Sequence, residues 1–230
     1  MNGISIFIPL YNEEEILERN VLTLIGYMNR LRCPYELILG SNGSTDRTVD
    51  IGRRLENTNN QVSFFHMDQR GPGGAFAEAL HRAAYPYILC QDADLSTDMA
   101  FIPQAMDLLN TYDAVIGAKQ VHTQKRPLFR VMASELFIVC SNMLLSMPYR
   151  DYAIGAKAYC TEAIRALDDR IDRHTFYTQS LLFHLHRTGK RIIEIPVNCT
   201  DLRKSKFNLL HEGFYRYSKL IALWQKTIVK

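Results

Sequence analysis

The sequence predicts a single α/β domain, with a mostly parallel, Rossmann-like sheet and helices packed on both of its faces. Short β-branched runs alternate with segments of helical period along the first half of the chain. The connections between them are short and rich in Gly, Asn and Asp. At 230 residues and 47% hydrophobic content the chain can bury one substantial core.

Ile4-Ser5-Ile6-Phe7-Ile8, ended by Pro9, is read as a buried strand. The helix after it is expected over Glu13–Leu31, with Ile16, Leu17, Val21, Leu24, Ile25 and Met28 on one face. Asn12 is its expected N-cap, and Glu13-Glu14-Glu15 suits the positive end of the helix dipole. Strand Tyr35–Leu39, the turn Gly40–Ser44, helix Thr45–Leu55 and strand Val62–His66 follow. Gly71-Pro72-Gly73-Gly74 leads into a helix over Ala75–Ala84, and strand Tyr87–Gln91 runs into Asp92-Ala93-Asp94. Beyond Asp94 the expected elements are a helix near Pro103–Leu109, strand Ala114–Ile116, a basic loop Lys119–Arg130 and a long helix from Arg130 to about Leu145. A helix over Thr178–His186 and a strand over Arg191–Val197 complete the domain. Such sheets bind ligands at the carboxyl ends of their strands, so Tyr11, Ser41 and Asp92 are expected to share one crevice.

The bulk properties exclude several classes. No run of about 20 apolar residues suggests a spanning helix, and the first residues lack the basic and apolar regions of a signal peptide. Five scattered cysteines without a CxxC pair argue against a disulfide framework or zinc site and suit a reducing compartment. The net charge of +3 hides an asymmetry: residues 1–115 carry 8 basic and 15 acidic side chains, residues 116–230 carry 19 and 9. An acidic half can hold a metal; a basic half can meet phosphate or an anionic membrane. Uneven solvated charge is the plainer alternative. No nucleic-acid motif accompanies the basic residues, and no dinucleotide fingerprint follows the first strand.

Two carboxylates at a strand end, Asp92 and Asp94, are the oxygen ligands that Mg²⁺ or Mn²⁺ prefers, with a diphosphate completing the shell. The segments Ile8-Pro9-Leu10-Tyr11-Asn12-Glu13-Glu14, Asn42-Gly43-Ser44-Thr45-Asp46 and Asp92-Ala93-Asp94-Leu95 resemble, in order and spacing, the family 2 glycosyltransferases of the GT-A fold. Gly117-Ala118-Lys119, Pro148-Tyr149-Arg150-Asp151, Gly155-Ala156-Lys157, Glu194-Ile195-Pro196-Val197 and Arg203-Lys204-Ser205-Lys206 extend the likeness towards the dolichol-phosphate-mannose, or polyprenyl-phosphate, branch. The resemblance implies that Pro9, Tyr11, Asn12 and Glu13 border the nucleoside, that Arg70, Gly71 and Gly73 lie near the nucleotide, and that Asp92 and Asp94 handle diphosphate and metal.

Three departures from the pattern bear on activity. Ser41 stands where relatives commonly carry an Asp that accepts a hydrogen bond from the base. Ser96, a shorter metal ligand, stands where the branch often has Gln. His174–His184 lacks the carboxylate that relatives often place around Thr178–Ser180. A sugar hydroxyl needs a base to take its proton, whereas a phosphate monoester is already largely anionic at neutral pH. The missing base therefore favours a phosphate acceptor, held by Arg126, Arg130, Arg203 and Lys206.

The expected organisation is a catalytic domain over residues 1–206 and an amphipathic C-terminal helix over 207–230. Phe207, Leu210, Phe214, Tyr217, Ile221, Trp224 and Ile228 form its stripe. That stripe suits an anionic membrane surface or, alternatively, packs on the domain. The expected function is a metal-dependent, inverting transfer of a sugar from a nucleoside diphosphate sugar to a polyisoprenyl phosphate, by a cytoplasmic protein peripheral to a membrane. A membrane-anchored partner would fit this picture. Two other readings stay open: a transferase acting on a glycan hydroxyl, and a weakly active nucleotide-sugar-binding subunit. A processive polysaccharide synthase is disfavoured, since Trp224 is the sole tryptophan and no QxxRW motif exists.

Overall fold

A computed structural model describes residues 2–119, 128–152, 154–200 and 209–228, without the side chains of 128–131 and 209–211. Seven strands form one sheet: β1 Ile4–Leu10, β2 Tyr35–Asn42, β3 Val62–Met67, β4 Tyr87–Cys90, β5 Ala114–Lys119, β6 Lys157–Cys160 and β7 Ile192–Val197. Their spatial order is β3-β2-β1-β4-β6-β5-β7, and every pair is parallel except those made by β6, which runs against both β4 and β5. The mostly parallel sheet is thus as expected. The antiparallel strand β6 was not anticipated, because four residues carry too little periodicity to read.

Eight α-helices lie among the described residues: α1 Leu17–Leu31, α2 Thr48–Thr58, α3 Pro72–Arg82, α4 Phe101–Leu108, α5 Leu128–Leu145, α6 Thr161–Arg165, α7 Tyr177–Arg187 and α8 Leu209–Ile228. One core layer joins α1, α2 and α4 to the sheet through Leu17, Leu24, Met28, Ile51 and Phe101. The other joins α3, α5, α7 and α8 through Phe76, Phe137, Leu181, Leu182 and Leu220. Residues such as Ile4, Ile6 and Ile8 face the first layer while Phe7 faces the second, as the two-residue repeat of a strand requires.

Pro9 lies inside β1 rather than ending it. It pairs with Gly40 on the β2 side, but pairing with β4 stops at Phe7, so the missing N–H falls where the ladder has opened. Helix α1 begins at Leu17, later than expected, and Asn12 is not its cap. Asn12 takes a left-handed backbone (φ 54°), and its Oδ1 accepts from the Thr45 N–H at 2.8 Å. The Glu13 N–H donates to Thr48 Oγ1 at 2.8 Å, so the acidic turn is pinned to the start of α2. Asn and Asp residues tolerate left-handed backbone, and Asn12 uses that freedom to staple two strand-end turns together.

Candidate active site

The central order β3-β2-β1-β4 sets the carboxyl ends of these four parallel strands side by side. Tyr11 follows β1, and the Arg70 guanidinium stacks over its ring at 3.9 Å from the centroid. Asn42, at the end of β2, bridges its neighbours: its Nδ2 donates to Leu10 O at 2.9 Å and its Oδ1 accepts from the Gly71 N–H at 3.2 Å. Ser41 lies within β2 and is fully buried. Its hydroxyl meets Ser44 Oγ at 2.9 Å and His66 Nδ1 at 3.0 Å.

Asp92 and Asp94 follow β4 in a tight turn closed by the Leu95 N–H to Asp92 O at 3.0 Å, with Leu95 at φ 53°. Asn20 of α1 fixes the same turn by donating to Ala93 O at 2.9 Å. Asp94 Oδ1 accepts from the Ser96 N–H at 3.0 Å, which brings these two together. Burial raises the pKa of Asp92 and the Asp94 charge raises it further, while Lys157 and Lys119 act in the opposite direction.

The opposite wall of the Asp92 site is the segment before β6. The Gly155 N–H bonds Asp92, and a Cβ at Gly155 would overlap the Asp92 carboxylate. Several contacts hold that wall in place. Glu194 Oε1 accepts from the Arg150 and Asp151 N–H groups at 2.8 and 3.1 Å, and Asp151 Oδ1 accepts from the Ile154 N–H at 3.0 Å. Lys157, 3% exposed at the start of β6, donates to Ile154 O. Burial lowers its pKa, against the attraction of Asp151, Cys90 and Asp92. Gly155 and Lys157 were not among the expected site residues. The signal was in their motif, but without β6 nothing placed them beside Asp92.

The glycine turn makes close contacts within the fold. A Cβ at Gly73 would collide with the carbonyls of Asp172 and His174, and one at Gly71 would lie 2.8 Å from Arg173 O. The Gly74 N–H donates to Arg173 O at 2.9 Å. The backbone of the 172–174 segment thus approaches these glycines closely. That segment is tied in turn to α8: Asp172 accepts from Tyr215 Oη at 2.7 Å and pairs with Lys219 Nζ at 3.2 Å. Burial opposes the Asp172 charge, yet the hydrogen bonds from Tyr215 and the His174 N–H, with Lys219, outweigh it and hold its pKa low.

Thr178, Gln179 and Ser180 are buried in α7. Neither amide atom of Gln179 has a hydrogen-bond partner among the described residues, and no carboxylate stands in this stretch. Arg216, on α8, turns inward. Its Nη2 donates to Thr175 O at 3.4 Å, its Nε is buried and unpartnered among the described residues, and burial lowers its pKa against Glu212, Tyr177 and Asp151. Arg126, Arg203 and Lys206 lie outside the described residues, as does the side chain of Arg130.

Two carboxylates presented by one turn fit a hard divalent ion whose remaining ligands are diphosphate oxygens and water. No group of three or more His, Cys, Asp or Glu suited to a metal occurs among the described residues.

Comparison with known proteins gives the family and the fold. The chain is 28% identical over 99% of its length to glycosyltransferase AglD of Haloferax volcanii, and spans 38% of that protein. It is 29% identical over 84% of its length to the undecaprenyl-phosphate mannosyltransferase of Micrococcus luteus, covering 82% of it. With the undecaprenyl-phosphate 4-deoxy-4-formamido-L-arabinose transferase of Photorhabdus laumondii it shares 26% identity over 75% of this chain and 54% of that one. Glucosyl-3-phosphoglycerate synthase from Mycobacterium tuberculosis, solved with Mn²⁺, UDP-glucose and phosphoglyceric acid, superposes with a TM-score of 0.71 at 18% identity, over 97% of this chain and 80% of that one. That likeness establishes the fold. Residues 5–200 match the model of glycosyl transferase family 2, most of the length described above, and the chain belongs to that family.

Proposed function

We propose that the chain transfers one sugar, with inversion, from a nucleoside diphosphate sugar to a polyisoprenyl phosphate. The observation that carries this reading is the Asp92–Asp94 turn, set beside the Tyr11 crevice at the strand ends with no carboxylate in the Thr178–Ser180 stretch. Pro9, Tyr11, Asn12, Glu13 and Arg70 border the nucleoside, and Asp92, Asp94 and Ser96 face the diphosphate. Mg²⁺ or Mn²⁺ at those carboxylates would neutralise the charge that develops on the departing diphosphate. The bond from the anomeric carbon to diphosphate breaks as a lipid phosphate oxygen bonds to the opposite face. That oxygen is already anionic, so no protein base has to take a proton. Two relatives are named for undecaprenyl phosphate, which supports this acceptor class.

Arg126, Arg130, Arg203 and Lys206 remain the proposed phosphate ligands, and the buried, incompletely paired Arg216 joins them. In this reading residues 1–206 form the catalytic domain and 207–230 its membrane-facing helix. Phe207 and the side chain of Leu210 lie outside the described residues; helix α8 packs on the domain through Leu220 and Leu223, with Tyr217 and Trp224 leaning inward, so the described part of the expected stripe divides between two faces. Phe214, Ile221 and Ile228 stay exposed, beside Met132, Leu136, Val139 and Met143 on the neighbouring α5. Phe137 and Tyr217 join the two helices edge to face at 5.2 Å. These exposed apolar side chains support docking at a membrane, directly or through an anchored partner; the cytoplasmic face is part of the proposal. No helix among the described residues is long and apolar enough to cross one.

The test is a lipid-extraction assay with a short polyprenyl phosphate, Mn²⁺ or Mg²⁺, and labelled GDP-mannose, UDP-glucose or UDP-N-acetylglucosamine. Label should enter the organic phase with one donor and stop with EDTA. Asp92→Ala with Asp94→Ala should abolish transfer in a folded protein; a fully active double variant refutes the metal role.

A further inference from the structure

The nucleobase end of the crevice departs from the expectation drawn for Ser41. That residue is fully buried, and its one hydroxyl already meets Ser44 Oγ at 2.9 Å and His66 Nδ1 at 3.0 Å. A hydroxyl has one proton to give and two lone pairs, so these contacts leave Ser41 little to offer a ligand it cannot reach. His66 is different. It sits directly opposite Ser41 in the β2–β3 register, at the same carboxyl edge, and its side chain is 24% exposed. Its second nitrogen, Nε2, points away from this relay towards the fully exposed Asp68, whose Oδ1 lies 3.7 Å off, beyond a hydrogen bond.

We infer that His66 reads the donor nucleobase through Nε2, with Ser41 acting as the positioning residue that fixes its imidazole. The inference rests on the nucleoside diphosphate sugar reading given above. The neighbouring groups complete a base site. Arg70 stacks on Tyr11, and the backbone N of Arg70 lies 3.0 Å from where a Cβ at Gly43 would stand, close behind Ser41 and Asn42. The flat Tyr11–Arg70 pair supplies a stacking surface and the imidazole an edge contact.

The relay allows two tautomers of His66, and each presents a different group to the base. Ser44 Oγ accepts from the Asn12 N–H at 3.2 Å, while the Ser41 and Ser44 hydroxyl protons are free to reorient. With the proton on Nδ1, His66 donates to Ser41 and presents an acceptor at Nε2, suited to a base N–H. With Ser41 donating to Nδ1, the imidazole presents an N–H, suited to a base carbonyl. A charged carboxylate at position 41 could only accept, so this chain should discriminate less sharply among bases that offer an N–H and a carbonyl side by side.

The experiment is calorimetric titration, with Mg²⁺ present, of UDP, GDP, CDP, ADP and inorganic pyrophosphate into wild-type protein and the variants His66→Ala, His66→Phe and Ser41→Ala. Both His66 variants should weaken the preferred nucleoside diphosphate by roughly tenfold, the worth of one hydrogen bond, and leave pyrophosphate unchanged. His66→Phe keeps the ring volume, so a shared loss separates hydrogen bonding from packing. Ser41→Ala should give a smaller loss, again confined to the ligands that carry a base. An equal loss for pyrophosphate, or unchanged nucleotide affinity in both His66 variants, overturns the inference and leaves the proposed function standing. A wild-type protein that binds no nucleoside diphosphate overturns both.

Discussion

Gly155→Ala is a sharp test of the Asp92 site, because it adds one carbon at a place where the structure has no room for it. The new methyl would overlap Asp92 Cγ and both carboxylate oxygens. Restoring an ordinary contact of about 3.5 Å moves the carboxylate by roughly 1 Å. Gly155 does not have a positive φ, so the backbone itself tolerates alanine and the strain falls on Asp92. Overpacking of this kind costs about 1–3 kcal/mol, and a domain with about 5–15 kcal/mol of stability stays folded. A misplacement of about 1 Å at the reacting groups costs on the order of 10²-fold in rate. Transfer to a polyprenyl phosphate should therefore fall about a hundredfold in kcat/KM, while metal-free nucleotide binding changes little. Gly26→Ala is the matched control: it lies inside α1, nothing stands within 4 Å of the methyl that alanine would add, and helix propensity favours alanine by about 1 kcal/mol. That variant should melt higher and keep full activity. A Gly155→Ala protein with kcat/KM within threefold of wild type would show that the wall before β6 does not fix the carboxylate.

Three further tests probe other parts of the molecule. Asp172 is held below the usual carboxylate range in the folded chain, so its contribution to stability is present above its unfolded pKa of about 3.9 and is lost as pH falls through its folded value. The melting-temperature gap between wild type and Asp172→Asn should be largest near neutral pH and close below about pH 4; a gap independent of pH would contradict this linkage. Met143 and Phe214 are 77% and 81% exposed, so Met143→Glu with Phe214→Glu should leave the melting temperature nearly unchanged and reduce co-sedimentation with phosphatidylglycerol vesicles about tenfold or more. Unaltered vesicle binding would remove α5 and α8 from the membrane contact. Arg216→Met should raise the KM for the lipid phosphate on the order of tenfold while donor affinity holds; an unchanged KM would return Arg216 to a purely structural place.

The legible part of the fold was its regular part. Strands β1 to β4 and the helices between them announce themselves by apolar runs and helical spacing, since each buries one clear face. Asp92, Asp94 and Tyr11 could be found because strand ends in such sheets converge. Strand β6 could not: it is four residues long, and its direction depends on neighbours far away in sequence. With β6 hidden, Gly155 and Lys157 had a motif but no location. Asn12 resembled a helix cap, because a cap and a turn staple ask for the same side chain. The contact of Gly73 with the backbone of residues more than ninety positions later was not legible either, because it depends on tertiary packing. The seven-residue repeat of Phe214, Ile221 and Ile228 marked an apolar line on α8, but periodicity alone does not say which line meets the protein and which meets solvent.

The reversal of β6 has a consequence for how this architecture can change. Along the parallel strands, only the segments that leave a strand open onto the carboxyl edge; segments that enter one lie at the far rim. Because β6 runs the other way, the stretch leading into it, of which residues 146–152 and 154–156 are described, reaches that edge as well. Extra residues spliced ahead of β6 would therefore grow over the carboxyl edge beside Asp92, while the same insertion ahead of β2 or β3 would grow on the opposite rim. This inbound stretch is a natural place for the architecture to vary that edge without disturbing the turns that follow β1, β2 and β4.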